Sequence, residues 1–271
     1  MAEAPRLGQI LRGSVLIDIC LVAGRRPDLV ARTLRSFDDG LFRHFRIGKF
    51  IANVDPIFGD ADAHNETLDV IRSYFPDADI AEPQVPGFCR AVQRNWLHSE
   101  APILLHLEDD WLLHREIKPE WLATMFRPRR VAQVVFDNAY LLWGEKSRGE
   151  YRYRRIPRSL FGYPIRRLKR RIPAFTTSPS FLEGDFARTA ATLMKAEYDP
   201  EKQFFSGVNP ELQSFAFRYR CRVFSPADGY PVSDIGREWR ESRRIEKITV
   251  GAVSTWSSNE ATGAGSSKLL S

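Results

Sequence analysis

The chain has 271 residues, 43% of them hydrophobic and 27% charged, enough apolar material to bury a substantial core as one large domain or two small ones. No apolar run approaches the roughly 18 to 20 residues of a membrane-spanning helix, and MAEAPRLGQILRG lacks the apolar core and small-residue cleavage site of a secretory signal. The net charge of +6 is uneven: Arg148–Arg171 holds ten basic residues and one acid, a local charge of +9 that leaves the remainder near −3.

In chain order, Val15–Val22 (VLIDICLV) is a short, β-branched apolar run suited to a strand covered on both faces, although it contains an acid. GRRPDLVARTLRSF follows, with Pro27 at the first helical position and Leu29, Val30, Leu34 and Phe37 at helical spacing. Ile47–Val54 reads as a second strand, ended by Asp55 and Pro56. Glu66–Tyr74 and Gly87–Ser99 read as helices, Ile103–Leu107 and Val131–Phe136 as strands. Strands alternating with helices over the first 137 residues imply βαβ units and a mainly parallel sheet. Beyond that the pattern loosens. Pro157, Pro164 and Pro173 break the basic segment, which is expected as a loop or broken helices. A helix fits Glu211–Tyr219, with Asn209 as N-cap and Pro210 first, and Arg222–Phe224 a short strand. The tail from Ser257 is small and polar enough to be disordered. Cys20, Cys89 and Cys221 match no metal spacing, which fits thiols used as small apolar side chains in a reducing compartment.

Leu104–His114 (LLHLEDDWLLH) sets Glu108, Asp109 and Asp110 inside an apolar run. One buried, unpaired carboxylate costs several kcal/mol, so these acids need solvent, a basic partner, a metal or a ligand. They follow a strand directly, the position where ligands bind in parallel α/β sheets. Oxygen-only ligation suits Mg²⁺ or Mn²⁺, which take much of their shell from water and substrate phosphates. The plain alternative is an acidic loop that caps the next segment or pairs with arginines.

Gly87–Trp111 (GFCRAVQRNWLHSEAPILLHLEDDW) resembles the central signature of GT-A glycosyltransferases of the family-2-like group: a helix with Ala-x-x-x-Asn (Ala91, Asn95), a short connection, an apolar strand and an acidic Asp-x-Asp-type motif. Val15 to Phe37 resembles the opening strand, nucleotide loop and first helix. The resemblance implies a Rossmann-like α/β fold with a mainly parallel central sheet flanked by helices. It also implies one domain over 1–256, with a nucleotide-binding half of about 14–137 and an acceptor-side half of about 138–256. By position, Asp110 would hold a divalent ion, Glu108 would approach the ribose or a metal-bound water, and Asp109 either. Asp55 matches an acid that contacts the base or ribose, with a turn starter before Pro56 as the alternative. Arg25, Arg26 and Arg94 are candidates for the base or phosphates.

Sugar transfer needs a neutralised leaving diphosphate, a positioned acceptor hydroxyl and, with inversion, a base. The resemblance to inverting members, which carry an acid at a helix start after the acceptor region, implies Glu211 as the first candidate base; Asp185 in TTSPSFLEGDFAR is the rival, with Glu183 also possible, and the resemblance of that segment to the acceptor-side strand and loop implies that Ser178, Ser180 and Gly184 could approach a sugar. Metal-dependent relatives often add a late histidine, yet the five histidines here, at 44, 64, 98, 106 and 114, all precede residue 115. Asp234 in SDIGREWRESRR, or water, is the candidate substitute ligand, and Arg237 and Arg240 are candidate diphosphate clamps.

These residues point to a metal-dependent glycosyltransferase with a nucleotide-sugar donor and a saccharide or lipid-linked acceptor. It would build a surface polysaccharide or glycolipid in the cytoplasm or on the inner membrane face, with peripheral membrane contact through Arg148–Arg171 and no nucleic acid. Two other classes compete. A nucleotidyltransferase would carry a Gly-rich phosphate loop, and VAGRRPD has only Gly24. A non-catalytic binder of nucleic acid or membranes would use the basic segment but not the three acids.

Overall fold

Ile17, Ile19 and Leu21 pack into one hydrophobic cluster while Cys20 and Val22, between them, pack into another. This explains the continuous apolar run: strand β1, Leu16–Ala23, is the middle of a sheet with cores on both faces. The computed structural model describes residues 15–139, 151–160, 163–258 and 268–270. The other elements are α1 (Pro27–Gly40), β2 (Arg46–Val54), α2 (Ala61–Tyr74), β3 (Asp79–Ala81), α3 (Phe88–His98), β4 (Ile103–Glu108), β5 (Trp111–Leu113), α4 (Pro119–Phe126) and β6 (Val131–Phe136). They continue with β7 (Tyr153–Leu160), β8 (Tyr163–Pro173), β9 (Ser180–Glu183), α5 (Gly184–Leu193), α6 (Pro210–Ala216), β10 (Arg220–Phe224) and β11 (Val232–Asp234). The chain then forms α7 (Gly236–Ser242), β12 (Ile245–Val250), β13 (Val253–Ser258) and β14 (Lys268–Leu270).

Seven strands form the central sheet in the order β10-β6-β9-β4-β1-β2-β3. All neighbours run parallel except β9, which runs antiparallel to both β4 and β6. The two halves of the chain therefore share one sheet. Val30, Leu34 and Phe37 of α1, Leu68 and Ile71 of α2 and Leu122 of α4 fill one core; Val92 and Trp96 of α3, Phe186 and Ala190 of α5 and Leu212 of α6 fill the other. Truncating a fully buried member such as Leu34 to Ala costs about 2–5 kcal/mol.

The acid inside the first strand has a structural explanation. Asp18 is buried and accepts backbone N–H groups from Lys49 (2.7 Å), Glu100 (2.6 Å) and Ala101 (2.8 Å), tying β1 to β2 and to the entry of β4. Gly48 leaves room for it, since a Cβ there would stand 2.5 Å from Asp18 Oδ1.

Three expectations are corrected. The helix expected from Glu66 starts at Ala61, because Asp60 caps it by accepting the Ala63 N–H (2.9 Å). The basic segment is not a loop or broken helices: β7 and β8 form a two-stranded antiparallel ladder, with Pro157 at its register shift. Ser257 and Ser258 belong to β13, and Leu269 and Leu270 pair with it in β14; the rest of the tail lies outside the described residues, as do residues 1–14. No helix among the described residues is long and apolar enough to cross a membrane.

Candidate functional site

Strands β1, β2 and β4 end together at one edge of the sheet and open into a cavity of about 280 Å³, near the lower end of small-molecule sites. Gly24, Arg26, Asp55, Phe58, Phe88 and Glu108–Asp110 line it from the first part of the chain, and Thr177, Ser178, Asp199, Glu201, Asp234, Arg240, Lys247, Ser254 and Trp256 from the second.

The three consecutive acids have three different settings. Asp109 is 1% exposed and spends both oxygens on the protein: Arg26 grips it with two nitrogens, and the Gly24 N–H donates to Oδ2 at 3.0 Å. Its carbonyl accepts the Thr33 hydroxyl (2.8 Å), which in turn accepts the Trp111 N–H (3.2 Å), so α1 clamps the acidic turn. Burial pushes the Asp109 carboxyl up, and Arg26 pulls it back toward the ionised form. Asp110 meets Arg26 at 3.2 Å and Arg240 at 3.1 Å. Its carbonyl accepts the Ile235 N–H (2.9 Å), and Gly236 is required beside it, since a Cβ there would lie 1.9 Å from Asp110 Oδ2. Glu108 is pushed up to about 8, first by burial and then by Asp110.

Around them, Asp55 accepts Asn53 Nδ2 (2.7 Å) and the Gly87 N–H (3.1 Å), and burial raises it. Asp234 accepts the Arg237 N–H (2.9 Å) and faces Arg240 at 3.6 Å; burial and then Asp110 push it up. Burial works against Asp199 too, but Lys247 (3.3 Å) and Ser254 (2.9 Å) hold it below the usual carboxylate range. Glu201 accepts the Thr176 hydroxyl (2.9 Å) and retains partial exposure. Phe58 adopts φ 72°, a left-handed conformation that is strained for an aromatic residue, and its ring lies 4.8 Å from the Arg26 guanidinium and edge-on to Trp239 and Trp256.

The structure gathers Asp55, Glu108, Asp109, Asp110 and Asp234 into this cavity with the candidates Arg26, Ser178 and Arg240, and leaves Arg25, Arg94, Ser180, Glu183, Gly184, Asp185, Glu211 and Arg237 out of its lining. Asp185 stands at the far end of the sheet, with Glu183 and Gly184: β9 is antiparallel, so Glu183 pairs with Ile103 at the start of β4, and Asp185 is exposed beside Arg188. Glu211 is exposed in the first turn of α6, whose Leu212, Phe215 and Ala216 face the core. Arg94 braces β2 and β3 by donating to the Ala52 carbonyl (3.1 Å) and pairing with Asp79. Arg25 sits beside the site, but its neighbour Arg26 is the one that enters. Asp199, Glu201, Lys247, Ser254 and Trp256 were not expected. For the last three the signal was present, since KITVGAVSTW reads as two short strands around Gly251, as a hairpin does, and β12 and β13 form it.

No family model and no curated protein matches the sequence. Solved structures match the fold. TarS of S. aureus, residues 1–349, superposes with TM-score 0.50 at 12% identity, over 85% of this chain and 63% of that one. The mannosyltransferase PcManGT from Pyrobaculum calidifontis, solved with GDP-Man and Mn²⁺, superposes with TM-score 0.50 at 11% identity, over 86% and 62%. The chain thus spans less than two thirds of each of these relatives. With its mostly parallel seven-stranded sheet, helices on both faces and an acidic motif at the end of the middle strands, this chain has the GT-A fold.

Proposed function

We propose that the chain is a glycosyltransferase that moves a sugar from a nucleotide-diphosphate donor to an acceptor hydroxyl. One observation carries the reading: the cavity at the carboxyl ends of β1, β2 and β4 is lined by seven carboxyl groups but only three cationic side chains, Arg26, Arg240 and Lys247. With seven acids against three cations, a diphosphate entering such a wall is favoured by added positive charge. The mannosyltransferase above was solved with GDP-Man and Mn²⁺, an analogy on the same fold.

The residues fit a hard divalent ion. Glu108, Asp110 and Asp234 offer only oxygen, and no cluster of three His, Cys, Asp or Glu converges among the described residues. That suits an ion which takes one or two carboxylates from the protein and the rest from phosphate and water. Asp110 and Asp234 are the residues that would hold it, and it would supply positive charge to the departing diphosphate.

The chain's own groups do the remaining work. Asp55, raised by burial, is placed to accept a donor N–H or hydroxyl, while Arg26 Nη1, buried and without a protein partner among the described residues, has a hydrogen left to donate. We assign the base to Glu201 in place of Glu211 and Asp185. Asp109, Asp110 and Asp199 already hold strong charged partners, whereas the nearest cations to Glu201, Arg152 and Arg154, stand 3.9 and 4.0 Å away. Its carboxylate would take the acceptor proton as the oxygen bonds to the anomeric carbon and the bond to the diphosphate breaks. Acceptor identity as a saccharide or lipid-linked glycan, and assembly of a surface polysaccharide or glycolipid at the inner membrane face, are part of the same proposal. Three buried free thiols support a reducing compartment.

Arg240 favours a second reading. Bridging Asp110 and Asp234, it already supplies a cation where the ion would sit, and with Lys247 it would carry the diphosphate without metal. Thermal melting against UDP, GDP, CMP and dTDP, with Mn²⁺ or with chelator, decides. At a hundred times its dissociation constant a ligand adds about 2.7 kcal/mol. A Mn²⁺-dependent rise lost in Asp110→Asn supports the metal reading. A rise that survives chelator and disappears in Arg240→Gln supports the second. No rise with any nucleotide sinks both.

A further inference from the structure

We propose that the β7–β8 hairpin is a docking strip for an anionic, phosphate-bearing acceptor chain, whose hydroxyl end enters the cavity beside Glu201; this rests on the transferase reading above. The strands pair with each other and with no other strand of the described sheets, apart from a bridge between Tyr151 and Arg222 at their root. A two-stranded ladder alone is marginally stable in water, and this one places Arg155 directly opposite Arg171, both exposed. Like charges across a ladder repel, which is a cost the fold has no internal reason to bear.

The register narrows the partner. Among the described side chains, Arg155 and Arg171 share one face and Arg154 shares the other with Ile156 and Ile172, so at these positions neither face is the apolar one that a lipid-inserted hairpin needs. Nine of the ten basic residues between 148 and 171 are arginine. A diffuse lipid charge is served as well by lysine, whereas the guanidinium fork matches discrete oxyanions such as phosphate diesters.

The strip also leads into the site. Arg152 and Arg154, at the root of β7, stand 3.9 and 4.0 Å from Glu201, and Arg154 packs 3.7 Å over the Phe205 ring. At the other leg, β8 ends at Pro173, four residues before Thr177 on the cavity wall. Once the donor diphosphate occupies the few cations of the cavity, its acids repel a further anion, so phosphates stay on the hairpin while a neutral hydroxyl passes inside.

Binding of inorganic polyphosphate to the full chain tests this, with dextran as the neutral control and phosphatidylglycerol vesicles as the lipid control. Wild type is expected to bind polyphosphate with steep salt dependence and not to bind dextran. Arg155→Glu with Arg171→Glu is expected to weaken it roughly tenfold or more, with an unchanged nucleotide-induced melting shift; Arg155→Gln with Arg171→Gln serves if the reversal fails to fold. Bound nucleotide should leave polyphosphate in place. Equal binding by wild type and variant, displacement of polyphosphate by nucleotide, or binding to vesicles without binding to polyphosphate overturns the strip. Intact, charge-dependent polyphosphate binding with no nucleotide shift in wild type overturns only its role as an acceptor site, together with the transferase reading.

Discussion

Arg26 and Arg155 put the same side chain to opposite uses. Arg26 is 5% exposed, gripped by Asp109, 3.2 Å from Asp110 and layered against Phe58, so its charge is cancelled in place and its position is dictated by β1, α1 and the turn after β4. Arg155 lies exposed on a ladder opposite Arg171. The first region fixes geometry by desolvating charge, and its rigidity is what the proposed nucleotide site needs. The second leaves its charge open to solvent, which makes it a poor stabiliser of the fold and a good surface for an anion.

The sharpest way to break that comparison is Arg26→Met, which strands Asp109 as a buried, uncompensated charge. Urea denaturation is expected to show a loss of about 3–5 kcal/mol, and removal of Asp109 as well should recover part of it in a double-mutant cycle. A loss below about 1 kcal/mol would mean that the pair behaves like a surface ion pair.

Gly236→Ala comes next. A Cβ 1.9 Å from Asp110 Oδ2 must push α7 or the acid aside, with an expected cost of about 1–3 kcal/mol and a loss of the nucleotide-induced melting shift. Unchanged melting behaviour would show that Asp110 and α7 are not rigidly apposed.

His106 tests the same half through pH. Burial drives its pKa down to about 3, and its Nδ1 accepts the Trp96 indole N–H at 3.2 Å. The folded chain therefore holds it neutral where the unfolded chain, with an ordinary value near 6.5, takes up a proton. This contribution to stability is complete above about pH 6.5 and is lost as pH falls toward 3, with a limiting slope of about 1.4 kcal/mol per pH unit. Denaturation of His106→Gln across that range should show a shallower dependence; matching slopes would contradict the assignment.

The smallest effect belongs to the hairpin. Arg155→Gln should leave stability within about 0.5 kcal/mol of wild type or raise it slightly, because it relieves a like-charge pair. A large destabilisation would place the hairpin among the rigid parts of the molecule.

Much of the fold was legible locally. The apolar runs that became β1, β4 and β6, the Pro27 and Pro210 helix starts and the acidic turn all follow from residue spacing. So did the position of Glu108–Asp110 at a strand end, and with it the site. The roles inside that motif were not legible: Asp109 turns out to position Arg26, since its oxygens are consumed by partners 83 and 85 residues away. The basic segment was misread because prolines suggested a break, whereas an isolated two-stranded ladder tolerates them.

By itself the sequence determined which segments must be buried, where charge concentrates and that three acids had to meet solvent, a basic partner, a metal or a ligand, because apolar periodicity and desolvation cost are local properties. Only the tertiary structure decided which carboxylates share the cavity. Strand β9 enters the sheet antiparallel and carries Asp185 to the wrong end, while β12 and β13 bring Lys247 and Trp256 to the right one. Strand direction and long-range register arise from packing between distant segments, and no local pattern encodes them.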